Sequence, residues 1–81
     1  MTASGRLRWQ CRRGVKELDI LLTRYLDQAF AHASSAERGE FTRLLTLQDP
    51  QLAAYLLAGD QPDSIGQQQL VQRIRSLAAA P

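Results

Sequence analysis

Between residues 6 and 19 the chain sets Arg6, Arg8, Arg12, Arg13 and Lys16 around Gly14, with Trp9 among them, then turns acidic at Glu17 and Asp19. Guanidinium groups bind carboxylates and phosphates through paired hydrogen bonds, and Trp and Arg often dominate the energetics of interfaces. The chemistry such a cluster offers is recognition of another molecule. A glycine at an exposed corner adds to this, because without a side chain it lets another backbone come close. A local account competes with it. If Gly14 ends a first helix, Arg12 and Arg13 sit in its last turn, facing the negative dipole end. Glu17 and Asp19 then occupy the first turn of the next helix, each charge contributing roughly 0.3–1 kcal/mol when exposed. Helix-end complementation does not require Arg6, Arg8 and Lys16, however, nor the one tryptophan, which serves either as a core anchor or as a partner contact.

Other reactive residues are few. Cys11 has no second cysteine to pair with, which excludes a disulfide, a zinc ribbon and a CxxC redox site. Its flanking arginines would lower its pKa, but the simpler expectation is a small apolar core residue. His32, the only histidine, falls near an expected helix end and reads as a solvated residue there. There is no nucleotide-binding glycine loop after a strand, no nucleophile–base pair and no metal-ligand set, so the expectation is a protein that is not an enzyme.

Length and composition bound the rest. At 81 residues the chain makes one domain, 1–81, with frayed ends at about 1–4 and 79–81. No apolar run reaches the ~18–20 residues needed to span a bilayer. The N-terminus has no apolar core of a secretory signal, and no spare length precedes the expected fold for an organellar presequence. The expectation is a soluble, cytoplasmic protein without membrane insertion. Charge is unevenly spread: Arg6, Arg8, Arg12, Arg13 and Lys16 give residues 1–16 a charge of +5, while the remainder carries five arginines against eight acids, −3. A basic end on a mildly acidic body suits an anionic partner or helix-end complementation.

Helices must position these residues, since no strand-like alternation occurs. Val15, Leu18, Leu21, Leu22, Tyr25, Leu26, Ala29 and Phe30 follow 3–4 spacing and form a broad apolar stripe. Ser34 with Glu37, and Ser64 with Gln67, fit capping boxes. Phe41, Leu44 and Leu45 form the buried face of a third segment, in which Gly39 costs about 1 kcal/mol relative to alanine. Asp49 reads as an N-cap followed by Pro50 at the first helical position, and Gly59 as a left-handed stop. Leu52, Tyr55 and Leu56 give that helix its face; Leu70, Val71, Ile74 and Leu77 give the last one its own. The spacing predicts helices over about 15–32, 35–47, 49–58 and 64–78, with a shorter one over about 4–13 carrying Leu7, Trp9 and Cys11. The expected fold class is all-α, a compact bundle of five short helices.

"RWQCRRGVKELD", with Arg13-Gly14-x-x-Glu17 at its centre, resembles the R-G-x-x-E motif of the succinate dehydrogenase assembly factor family. "FTRLLTLQDPQLAAYLLAG" is similar to that family's F-x-x-L-L-x-x-x-D-P-x-L-x-x-W-L-x-x-G segment, and chain length and helix order agree. Together these cover about residues 6–59. Val15 stands where the family commonly has methionine, and Tyr55 where it commonly has tryptophan; both keep an apolar body.

The resemblance implies a function. These bacterial and mitochondrial proteins promote covalent attachment of FAD to the flavoprotein subunit of succinate dehydrogenase and, in bacteria, fumarate reductase. It also implies that Arg13, Gly14 and Glu17 form the core of the partner-binding surface, to which the residue types add Arg6, Arg8, Trp9, Arg12 and Asp19. The protein is then expected to hold no cofactor stably, to act on the FAD of its partner, to be monomeric when free and to bind no nucleic acid. The alternative from residue chemistry alone is a small basic helical module that binds nucleic acid or serves as an adaptor. Glu17 and Asp19, which would lie beside the phosphates, weigh against nucleic acid.

Overall fold

In the computed structural model, which describes residues 3–79, the apolar stripe becomes α2 (Lys16–Gln28), the helix around which the others assemble. Leu18, Leu21, Leu22, Tyr25 and Leu26 are its buried face, with Val15 and Phe30 packed at the edges of the core. Each fully buried leucine contributes roughly 1.5–3 kcal/mol relative to exposure. The other helices are α1 (Ala3–Gln10), α3 (Ser35–Leu44), α4 (Asp49–Leu56) and α5 (Ile65–Ala79). The protein is all-α, a bundle of five short helices with no strand among the described residues. α5 lies against α2, α3 and α4, and Leu70, Val71 and Ile74 close the core opposite Leu18, Leu22, Phe41, Leu44 and Leu52.

Several expected boundaries shift, each for a visible reason. The helix expected to run to residue 32 leaves α-geometry after Gln28 and tightens into a 3-10 turn, Phe30–His32. There Phe30 lies edge-on to Tyr25 and beside Phe41, with ring centroids 6.5 and 5.6 Å apart. His32 is exposed in this turn. α3 stops at Leu44 instead of 47, in a turn closed by Thr46 N–H to Arg43 O and Leu47 N–H to Leu44 O, both 3.1 Å. Of the ends expected to fray, Ala3, Ser4 and Ala79 are helical; residues 1–2 and 80–81 lie outside the described residues.

The two capping boxes form by half. Glu37 and Gln67 N–H groups donate to Ser34 and Ser64 Oγ at 3.1 and 3.2 Å. The Glu37 carboxylate, however, does not turn back to Ser34. It accepts from the Tyr25 hydroxyl at 2.6 Å and faces Arg73 at 3.5 Å. A buried hydroxyl left without an acceptor costs about 1–3 kcal/mol, whereas water can serve the amide of exposed Ser34. Gln67 likewise uses its amide to tie α5 to α3, donating to Glu40 O at 2.8 Å and Oε1 at 2.7 Å. Asp49 is not the N-cap of α4: Gln48 holds that position, with Asp49 and Pro50 inside the first turn and the Asp49 carboxylate drawn toward Arg13.

Candidate functional site: the Gly14 corner

α1 ends at Gln10, so Arg12 and Arg13 lie beyond its last turn, which carries Arg8 instead. Arg12 N–H still closes on Trp9 O at 3.1 Å, but Arg13 N–H is captured by Asp19 Oδ1 at 2.6 Å. That bond turns the chain out of the first helix and toward the second. Gly14 follows with φ +82°, in the left-handed region that costs an ordinary residue roughly 1–2 kcal/mol. Val15, in extended conformation, caps α2, with Asp19 N–H donating to Val15 O at 2.9 Å. Glu17 and Asp19 occupy the first turn of α2, as the dipole favours.

The eight candidate residues divide into those that build the corner and those that face outward. Arg13 builds it. Its guanidinium, in a side chain 17% exposed, donates to Leu47 O at 3.2 Å and to Leu45 O, and stands 3.7 Å from Asp49 Oδ1. These carbonyls follow the C-terminal end of α3, where helical partners run out. Asp19 builds it too, through the Arg13 amide. Arg8 pairs with Asp27 of α2 at 2.6 Å, an exposed bridge that raises the Arg8 pKa from its ordinary value through the hydrogen bond and adds little to stability.

Arg6, Trp9, Arg12 and Glu17 face solvent, and their side chains make no hydrogen bond, ion pair or ring contact with another described residue. Trp9 is 67% exposed, which decides between core anchor and surface contact in favour of the surface. At Gly14, no described atom beyond the adjoining residues lies within 4 Å of where a Cβ would stand, so the space in front of the glycine is open.

Cys11, by contrast, is fully buried behind the corner. Burial pushes its thiol up to about 11, outweighing Arg13 and Arg8, which pull the other way. It is the apolar core residue expected, not a nucleophile.

Beside the corner an open groove runs between the end of α1 and α2, lined by Arg8, Arg12, Asp19, Ile20, Arg24 and Asp27 among others. Sequence reasoning missed Ile20, 45% exposed, and Arg24, whose guanidinium reaches Leu77 O and Ala78 O near the end of α5 at 3.5 and 3.4 Å. Ile20 had a signal: it is a large apolar residue off the stripe of α2. Arg24 had none, since its partners lie more than fifty positions away.

Fold and corner together define a class: a small helical protein that presents an open, polar, internally braced corner flanked by an exposed tryptophan. A family model described as flavinator of succinate dehydrogenase matches residues 5–78. Among similar proteins is the FAD assembly factor SdhE of Coxiella burnetii, 38% identical over 77 residues, covering 95% of this chain and 94% of that protein. The FAD assembly factors SdhE of Xylella fastidiosa and Methylococcus capsulatus are 42% and 40% identical, covering 93% and 95% of this chain and 77% and 93% of theirs. The chain belongs to the succinate dehydrogenase flavinator family. The match extends through α5, beyond the segment that the two motifs cover.

Proposed function

We propose that this protein binds the flavoprotein subunit of succinate dehydrogenase and promotes covalent attachment of its FAD, with the Gly14 corner as the docking face. Family membership supports the partner and the process. The observation that carries the site is the pairing of open space at Gly14 with an exposed, uncommitted Glu17 on a corner braced from behind.

The chain acts without chemistry of its own. The bond formed joins the flavin's 8α-methyl carbon to a histidine nitrogen of the partner. An 8α C–H and the histidine N–H give up their protons and the flavin ring takes up the electron pair, so the flavoprotein with its FAD supplies every reacting group. A bound helper accelerates such a step by holding the partner's domains in the reactive arrangement, a population shift worth as much as its preference for that arrangement. Gly14 permits close approach, Glu17 accepts charge-assisted hydrogen bonds, and Arg6, Arg8, Arg12 and Trp9 extend the contact. The same reading covers fumarate reductase as a second partner, a free monomer, no stably held cofactor and a cytoplasmic location. Among the described residues, no helix is long and apolar enough to cross a membrane.

The test is co-expression of the flavoprotein subunit with wild-type protein or with Glu17→Ala. Circular dichroism and melting of the variant should stay close to wild type, while covalent flavin on the partner, read by in-gel fluorescence, should fall at least about tenfold, the equivalent of 1.4 kcal/mol of lost interaction. Flavinylation at the wild-type rate would remove Glu17 and the corner from the proposal.

A further inference from the structure

We infer that Arg13 is a positioning residue: its guanidinium fastens the Gly14 corner to the α3–α4 turn, so that Gly14 and Glu17 meet the partner in one fixed pose. This rests on the corner being the docking face. A sequence reading would send Arg13 outward, as a charged fork for the flavoprotein. The geometry sends it inward. Its donors are committed to the carbonyls of Leu45 and Leu47, more than thirty residues away, and its side chain is mostly covered. Its Nε is buried without an acceptor, so even the part of the fork that is not engaged has no route to a partner. To reach outward the side chain would have to abandon two carbonyls and Asp49 together.

The backbone of the same residue supplies the second tether. Arg13 N–H donates to Asp19 Oδ1, so one residue is pinned to α2 through its amide and to the α3–α4 turn through its side chain. Gly14 is the next residue, the most permissive in the chain's repertoire, and without these two anchors its φ of +82° would be one of several accessible states. Fixing it beforehand reduces the ordering entropy that binding would otherwise have to meet. A lysine, a single compact ammonium, cannot form the planar fork that serves two carbonyls at once.

The experiment titrates the purified flavoprotein subunit with wild type, Arg13→Gln, Arg13→Lys, Arg12→Gln and Glu17→Ala at low and high salt. Amide hydrogen exchange is measured on each free variant. Arg13→Gln should weaken binding about tenfold at both salts, keep the wild-type salt dependence, and speed exchange around Gly14–Glu17 in the free protein while the α5 core stays protected. Arg13→Lys should fall between. Arg12→Gln, which removes a solvent-facing charge, should reduce the salt dependence and leave exchange at the corner unchanged.

If Arg13→Gln instead flattens the salt dependence with corner exchange unaltered, Arg13 touches the partner and the inference is wrong. It is equally wrong if Arg13→Gln binds like wild type while Glu17→Ala does not. Wild-type binding by Glu17→Ala would overturn the docking corner itself, whatever Arg13 does. Should Arg13→Gln fail to fold, Arg13→Lys and Asp19→Ala, which each loosen one tether, carry the same readouts.

Discussion

Two glycines in this chain adopt almost the same backbone conformation at junctions between helices: Gly14 between α1 and α2 with φ +82°, and Gly59 between α4 and α5 with φ +85°. Neither has a described atom beyond its adjoining residues within 4 Å of a would-be Cβ. The bend at Gly59 is held by nearby backbone, Ala58 N–H on Ala53 O at 3.0 Å and Asp60 N–H on Ala54 O at 2.9 Å. A side-chain tie in the rest of that connection is local too, Gln68 Nε2 donating to Pro62 O at 2.8 Å. The bend at Gly14 is held by side chains, Asp19 from the following helix and Arg13 reaching the α3–α4 turn. Cys11 and Leu18, three and four positions from Gly14, are fully buried; around Gly59, Leu56 and Pro62 are buried and Leu57 and Ala58 exposed. A left-handed turn needs only what Gly59 has. The long-range bracing at Gly14 exceeds that need, and it is this excess on which the proposed docking face rests.

Substituting both glycines is the strongest way to break the comparison. Gly14→Arg and Gly59→Arg carry the same left-handed penalty, roughly 1–2 kcal/mol each, and at neither position does the added Cβ meet a neighbouring atom. Both should therefore melt at similarly lowered temperatures. Only Gly14→Arg should abolish covalent flavin on the co-expressed partner. Gly14→Ala, with the same φ penalty and little bulk, should retain part of the activity. Equal damage from Gly14→Arg and Gly59→Arg would reduce the corner to chain geometry, and equal damage from Gly14→Ala and Gly14→Arg would do the same for the close-approach argument.

A second difference is chemical: the Gly14 bend has a buried thiol behind it and the Gly59 bend has none. The folded Cys11 thiol is raised to about 11 from an ordinary 9.0, so the unfolded chain releases its proton first as pH rises. Stability from this source is fully present below about pH 9 and is lost as pH climbs through about 11, amounting to about 2–3 kcal/mol. Cys11→Ala should flatten that part of an alkaline unfolding profile. Some slope should remain, because burial and the hydrogen bond to Glu37 raise the Tyr25 hydroxyl as well. In wild type near pH 8, a thiol reagent should react on the order of 100-fold more slowly than with the denatured chain, from thiolate population alone. Fast labelling of the native protein would show that the corner is not backed by a closed core.

What the sequence made legible divides along the same line. Apolar periodicity placed the core almost residue by residue, because 3–4 spacing is a local consequence of helix geometry; Leu18, Leu22, Phe41, Leu52 and Ile74 are all buried as expected. Gly59 was equally readable, since a glycine after an apolar run is a local stop signal. At the corner the sequence shows the turn and the charges around it, but not how they are braced. Arg6, Arg12 and Glu17 face outward, but nothing near Arg13 announces that its acceptors are carbonyls beyond residue 44. Glu37 and Gln67 have the spacing of capping boxes, but their side chains go to Tyr25 and Glu40 because buried and interhelical groups compete for them. Local pattern specifies which residues a helix buries; it does not specify which distant polar group a long side chain will satisfy.

A third glycine sharpens the contrast by serving neither purpose. Gly39 lies inside α3 with no positive φ, exposed, and no described atom outside the backbone of its own helix and the adjoining residues stands within 4 Å of a Cβ there. It supplies no left-handed turn, makes room for no neighbour and sits in a helix distinct from the corner. Only its entropic cost remains, which alanine removes by restricting the unfolded chain. Gly39→Ala should therefore stabilise the protein by about 0.5–1 kcal/mol, raising the melting temperature by roughly 2–8 °C for a domain of this size. Flavinylation supported by Gly39→Ala should match wild type. A loss of flavinylation without a loss of stability would mean that the exposed face of α3 also meets the partner, and that the docking surface extends well beyond the braced corner.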